Sequence, residues 1–272
     1  MRQVLKTAGA WLCAVLAFGL VTAHAAPASQ GFKWPKGKQA AIVLTYDDGL
    51  KSHLDVAIPQ LNAARIKGTF FLNGSEMTPA EMVRWRVADK AGHELGNHSL
   101  FHPCPRTILP NRERYATETY DVDGMMREVS AMNSLLFGID GRRVHTYAYP
   151  CSQSLVGGND YVPAMRQSGL VKYARTGGDP YKSVVVNFAD LDIYNVPSNG
   201  PVDSPSGATL IEYAERVRAA GGLGVLQFHG VGGDYLEVSA EAHQALVTYL
   251  KSHPDIWVVT FQEAMDYVVA HR

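Results

Sequence analysis

The chain has 272 residues, 46% of them hydrophobic, enough for one sizeable domain with a buried core. Its formal net charge is −1, which removes the electrostatic case for binding nucleic acid or an anionic membrane surface.

Arg2 and Lys6 precede an apolar stretch over residues 8–21, and Ala23-His24-Ala25 supplies small residues at the spacing of a cleavage site. This predicts a signal peptide over residues 1–25 and hence an exported protein, periplasmic or secreted, with no membrane span after cleavage. A membrane anchor fits less well, because the apolar core is short and no basic stop-transfer cluster follows. Cleavage would remove Cys13 and leave Cys104 and Cys151, which an oxidising compartment permits to pair. Residues 26–38, small, polar and rich in Pro and Gly, read as a linker.

A buried strand over 41–45 runs into Tyr46-Asp47-Asp48-Gly49. Neighbouring side chains of a strand point to opposite faces, so two carboxylates at its end can split roles, one binding a metal and one facing substrate as a base. The same residues also read as an ordinary Asp-Asp-Gly turn. Leu54, Ile58 and Leu61 recur at helical spacing, and Pro59 is tolerated if that helix begins near it. Gly68 closes the helix and a strand follows over 69–72. Thr78-Pro79-Ala80-Glu81 supplies a cap, a first-turn proline and an acid for a second helix. Gly92 ends it, and a short strand follows over 93–97.

Beyond these, the pattern predicts a helix over 116–136, strands over 144–149, 171–175 and 191–196, and a helix over 208–219. Strand 222–228, helix 240–251, strand 256–260 and helix 261–269 complete the chain. Strands alternating with helices imply parallel pairing in a single α/β domain over residues 39–272, and about seven such units favour a closed or nearly closed barrel. The residues suited to chemistry, Asp47-Asp48, His98, His102, Tyr149-Pro150 and His229, all fall at or just past C-terminal strand ends, which share one rim in such a barrel.

His98 and His102 are four apart, which on a helical turn places both on one face. Such a pair alone is also a frequent surface coincidence. With Asp48 it becomes two nitrogens and one carboxylate, a donor set that leaves positions open on a catalytic metal. His229 precedes the flexible run Gly230-Val231-Gly232-Gly233. A lone histidine there has a structural reading as well as that of a proton donor.

Together these stretches resemble the polysaccharide deacetylases, the NodB-homology group of family-four carbohydrate esterases. The resemblance rests on Thr45-Tyr46-Asp47-Asp48-Gly49, on His98-Ser99 with His102-Pro103, on Tyr147-Ala148-Tyr149-Pro150-Cys151, and on Leu226-Gln227-Phe228-His229. It implies a distorted (β/α) barrel of about seven strands, acting on an acetylated glycan with a divalent metal, zinc foremost and cobalt or nickel as close substitutes. It further implies Asp47 as general base, His229 as general acid, and Asp48, His98 and His102 as metal ligands. Leu226 would line the pocket for the acetyl methyl, and the Cys151 N–H, after Tyr149-Pro150, would face the oxyanion. The family arginine two residues before the proline is here Ala148, for which Arg142 or Arg143 is the nearest substitute. The family's Asp-Trp motif is matched only loosely by Asp190-Leu191-Asp192-Ile193-Tyr194. If the two motifs meet at the rim, Cys104 and Cys151 fall within bridging distance and a disulfide is expected; two buried thiols are the alternative. The leading reading is removal of acetyl from N-acetylated glycans such as chitin oligosaccharide or peptidoglycan. The competing ones are an acetyl-ester hydrolase on xylan-like polymers, a hydrolase of small cyclic amides or imides, and a non-catalytic glycan-binding protein.

Overall fold

The computed structural model describes residues 32–178, 183–201 and 203–272. The expected signal peptide and residues 26–31 of the expected linker lie outside them. In chain order the elements are β1 (Ala40–Asp47), α1 (Ile58–Ala64), β2 (Thr69–Leu72), α2 (Pro79–Lys90), β3 (Glu94–Asn97), α3 (Val122–Asp140) and β4 (His145–Ala148). A small hairpin of β5 (Leu155–Val156) and β6 (Asn159–Asp160) follows, then α4 (Val162–Ser168), β7 (Val171–Arg175) and β8 (Val184–Val185). The chain ends with α5 (Gly207–Ala220), β9 (Leu223–Phe228), α6 (Ala240–Ser252), β10 (Ile256–Val259) and α7 (Phe261–His271).

Every residue of β1 is buried, as expected of a strand covered on both faces. Its first half pairs with β10, its second half with β2, and nearly its whole length with β9. The sheet runs β7-β4-β3-β2-β1-β9-β8, and all its pairings are parallel except that of β8 with β9. Period-two alternation sorts the side chains of β1. Ala40, Ile42, Leu44 and Tyr46 pack outward with α1, α5 and α6 residues such as Leu61, Leu210 and Leu246. Ala41 and Val43 pack inward with Phe71, Val225 and Val259. Asp47 continues the inward series and so reaches the barrel interior at its C-terminal mouth.

The single α/β domain with a distorted barrel matches the reading of the sequence, and three local expectations change. The strand expected over 191–196 is an irregular crossing. Its backbone bonds to β7 through Val196 and, at Asn199, to β9 on the other side, so it spans the gap between those strands. Pro197, lacking an N–H, cannot continue a ladder there. Secondly, α3 starts at Val122, capped by Asp121, rather than at 116. Residues 115–117 instead exchange backbone hydrogen bonds with Cys104, a tertiary pairing that competes with the helix. Thirdly, Trp34, read as part of a linker, is buried; its indole N–H donates to Gly221 O at 2.9 Å and its ring packs on Phe188 and Tyr267.

Candidate active site

Asp47, Asp48, His98, His102, Tyr149, Cys151 and His229, chosen from the sequence, all line one cleft of about 890 Å³ at the C-terminal rim. Leu226 does not. It is wholly buried in the outer cluster, because side chains of β9 alternate and those of Gln227 and His229 share the opposite face. Gln227 lines the cleft in its place. Pro150 is buried behind the rim and sets up the turn in which Cys151 takes a positive φ of 50°.

Asp48 follows β1 with φ 77°, a left-handed backbone that aspartate tolerates better than most residues. Its amide donates to Phe71 O at 2.9 Å, fixing the turn. The Oδ1 atom lies 3.6 Å from His98 Nε2 and 3.3 Å from His102 Nε2. His98 is buried, and its Nδ1–H donates to Ala148 O at 2.7 Å, which leaves the Nε2 lone pair facing Asp48. Ala148, at the position of the family arginine, thus contributes its backbone carbonyl to the site. Burial pushes His102 down to about 4, so its imidazole is neutral and keeps a lone pair. One ligating atom from each of Asp48, His98 and His102 falls within 4.8 Å of the others.

The two histidines do not share a helix. Residues 98–103 form an irregular loop in which Ser99 and His102 have φ of 62° and 53°. Asn97 Oδ1 accepts from Ser99 N at 2.8 Å and Ser99 Oγ from His102 N at 3.0 Å. Local side-chain to backbone bonds of this kind compete with helix formation. The loop brings the rings to 4.7 Å between centroids, by another route than helical spacing.

Asp47 is 1% exposed and lies in a network that sequence reasoning missed. Arg175 Nη2 donates to its Oδ1 at 2.5 Å and Oδ2 at 2.6 Å, and Gln227 Nε2 donates to Oδ2 at 2.9 Å. Arg175 Nη1 donates to Ser198 Oγ at 3.2 Å. Burial pushes the Asp47 carboxyl up, but the Arg175 guanidinium and nearby imidazoles outweigh it and hold the group below its ordinary value. Arg175, at the end of β7, therefore takes the place expected for Arg142 or Arg143. Arg142 is tied up elsewhere, donating to Asp89 at 2.6 Å and Asp140 at 3.1 Å. In the loosely matched motif, Asp192 pairs with Arg166 at the surface.

His229 Nε2 stands 3.8 Å from Asp48 Oδ2, and its backbone carbonyl accepts from His53 Nε2 at 2.7 Å. Cys104 and Cys151 lie side by side with Cα atoms 5.7 Å apart, inside the range a disulfide requires.

A sequence model described as polysaccharide deacetylase matches residues 35–171. Among curated proteins, the peptidoglycan-N-acetylmuramic acid deacetylase PdaA of Bacillus subtilis is 27% identical over 114 residues, 42% of this chain and 38% of that protein. Two solved structures share the fold. One is a Mycobacterium smegmatis protein assigned to the polysaccharide deacetylases, with TM-score 0.63 and 19% identity over 90% of this chain and 95% of that one. The other is the peptidoglycan deacetylase PdaC of Bacillus subtilis, with TM-score 0.56 and 19% identity over 86% of this chain and 94% of that one. With its motifs gathered on one barrel rim and half its length matched by the family model, the chain belongs to the polysaccharide deacetylase family.

Proposed function

We propose that the protein is an exported, metal-dependent hydrolase that removes acetyl groups from N-acetylated glycans of the chitin-oligosaccharide or peptidoglycan type. The observation that carries this reading is the juxtaposition of two sets of side chains. Asp48, His98 and His102 point their ligating atoms at one spot, and a separately charged carboxylate, Asp47, is held beside them by Arg175. Two imidazole nitrogens and one carboxylate oxygen suit zinc, with cobalt or nickel close behind, and leave coordination positions open. The ion when bound supplies Lewis acidity toward an acetyl carbonyl and toward water.

The protein's own groups do the rest. Asp47, ionised and fixed by Arg175 and Gln227, accepts the proton from the attacking water. The Cys151 N–H, presented by the turn after Pro150, is the backbone donor for the oxyanion. His229, across the mouth, delivers a proton to the departing amine, which leaves as a neutral group only if protonated. Within the curated relatives, the name of PdaA favours a peptidoglycan substrate. A disulfide between Cys104 and Cys151 would tie the metal loop to the oxyanion turn, and suits an oxidising compartment.

The test is acetate release from N-acetylglucosamine oligomers, peptidoglycan fragments and acetylated xylan. Each is run on metal-stripped protein with and without zinc or cobalt, and on Asp47→Asn. Zinc-restored release from an N-acetylated glycan, lost in the variant, is expected. Release from xylan alone would replace the amide reading with an esterase. No release from any substrate by zinc-loaded protein would overturn the glycan hydrolase.

A further inference from the structure

The loop after His229 is held more tightly than a glycine-rich surface loop requires. Gly230 N donates to Tyr235 O and Val238 N to Gly230 O, each at 2.9 Å. A Cβ at Gly230 would stand 2.1 Å from Gly233 O, so only glycine permits this closure. From the far side, Ser52 N donates to Asp234 Oδ2 at 2.8 Å and Ser52 Oγ accepts from Val231 N at 3.2 Å. The backbone of Tyr235 is therefore fixed, although its side chain is on a residue 52% exposed.

From that position the phenol hydroxyl donates to Asp48 Oδ2 at 2.6 Å. The other oxygen, Oδ1, faces the two imidazoles and accepts from Asn73 Nδ2 at 3.2 Å. The two oxygens of the carboxylate are thus given different partners, with Oδ1 toward the ligand cluster and Oδ2 toward Tyr235. A carboxylate free to rotate would offer either oxygen, or both, to an ion.

We propose that Tyr235 is a positioning residue that holds Asp48 ready to bind a divalent ion through Oδ1 alone, so that a surface-loop hydroxyl sets the affinity of the site. The inference rests on the metal-site reading above. Loss of a hydrogen bond to a ligating carboxylate weakens metal binding by roughly 10–100-fold, and Tyr235→Phe removes this one while keeping the ring.

Zinc dissociation constants of the full chain, measured by competition with a chromogenic chelator, test it alongside thermal unfolding of the metal-free proteins. Tyr235→Phe is expected to bind zinc about 10-fold more weakly and to unfold, metal-free, at the wild-type temperature. Wild-type affinity in Tyr235→Phe, or a loss seen only in Tyr235→Ala, would overturn the proposal and leave the metal site standing. A matching fall in metal-free stability would also overturn it, by making the hydroxyl a loop brace. Failure of the wild-type protein to bind zinc would overturn the metal site itself.

Discussion

A carboxylate taken out of water needs compensating charge, and Asp47 obtains it from one guanidinium whose Nη2 spans both oxygens. Arg175→Ala should therefore act on two observables. Metal-free stability near neutral pH should fall by about 3–5 kcal/mol, the cost of stranding a buried charge. The acid limb of the pH–rate profile for acetate release should move to higher pH, because removing the cation that depresses Asp47 raises its pKa. The sign for stability is the usual one for a depressed carboxylate. The contribution of Asp47 is present above its unfolded value of about 4 and is lost as pH falls through the folded value. An unmoved acid limb in Arg175→Ala would show that Arg175 does not tune Asp47. At this scale the sequence was half legible. Asp47, Asp48 and the histidines stand in short motifs, whereas Arg175 lies 128 residues from its partner. The one available signal was a charged residue closing an apolar strand, on the face shared with Tyr173 by period-two alternation.

At the scale of elements, the loops of the rim are set by side chains binding backbone, and regular secondary structure plays little part. The His98–His102 spacing looked helical because four residues make about one turn. Ser99 and Asn97 instead bend the chain through left-handed positions. Caps that act within a few residues were readable: Thr78 and Glu81 form the capping box that the sequence announces. The Cys104–Cys151 contact depends on two loops meeting, so only the inferred barrel made it readable. A bridge there closes a loop of 47 residues, which by chain entropy is worth up to about 4 kcal/mol. Reduction, or Cys104→Ser with Cys151→Ser, should lower the urea midpoint accordingly, and non-reducing peptide mapping should recover the linked pair. Free thiols in both peptides would remove the bridge.

At the scale of the whole molecule, strand and helix alternation announced the parallel barrel, but it gave no warning of antiparallel β8 or of the crossing at 193–199. Those pairings depend on which edges lie open after the parallel strands have assembled. The same assembly buries four histidines outside the cleft; His145 faces the Asp140 carboxylate, whereas the bonding of His53, His93 and His243 fixes each as neutral. His243 Nδ1 faces Gln60 Oε1 at 2.6 Å, so its Nε2 accepts from the Tyr46 hydroxyl at 2.7 Å. His93 Nδ1 accepts from Gly68 N at 3.1 Å. His53 donates Nε2–H to His229 O, and its buried Nδ1 has no hydrogen-bond partner among the described residues. A second proton would displace the donor at His243 and His93, and at His53 it would be buried without an acceptor among the described residues. Burial accordingly pushes His53 and His93 down to about 4 and His243 to about 3. Their unfolded value is near 6.5, so below it the unfolded chain binds protons that the native protein refuses. Stability contributed by the neutral rings is thus complete above about pH 6.5 and falls as the solution is acidified toward their folded values. Between pH 7 and 5 the loss is about 2 kcal/mol for each ring, about 6 kcal/mol in all, a large share of the stability of an ordinary domain. Urea unfolding at pH 7, 6 and 5 with chelator present should show this decline, to which the buried ring of His102 adds a loss of similar size, and His243→Gln should reduce the total by about 2 kcal/mol. A flat profile over that range would mean that the three rings are not held neutral by the fold.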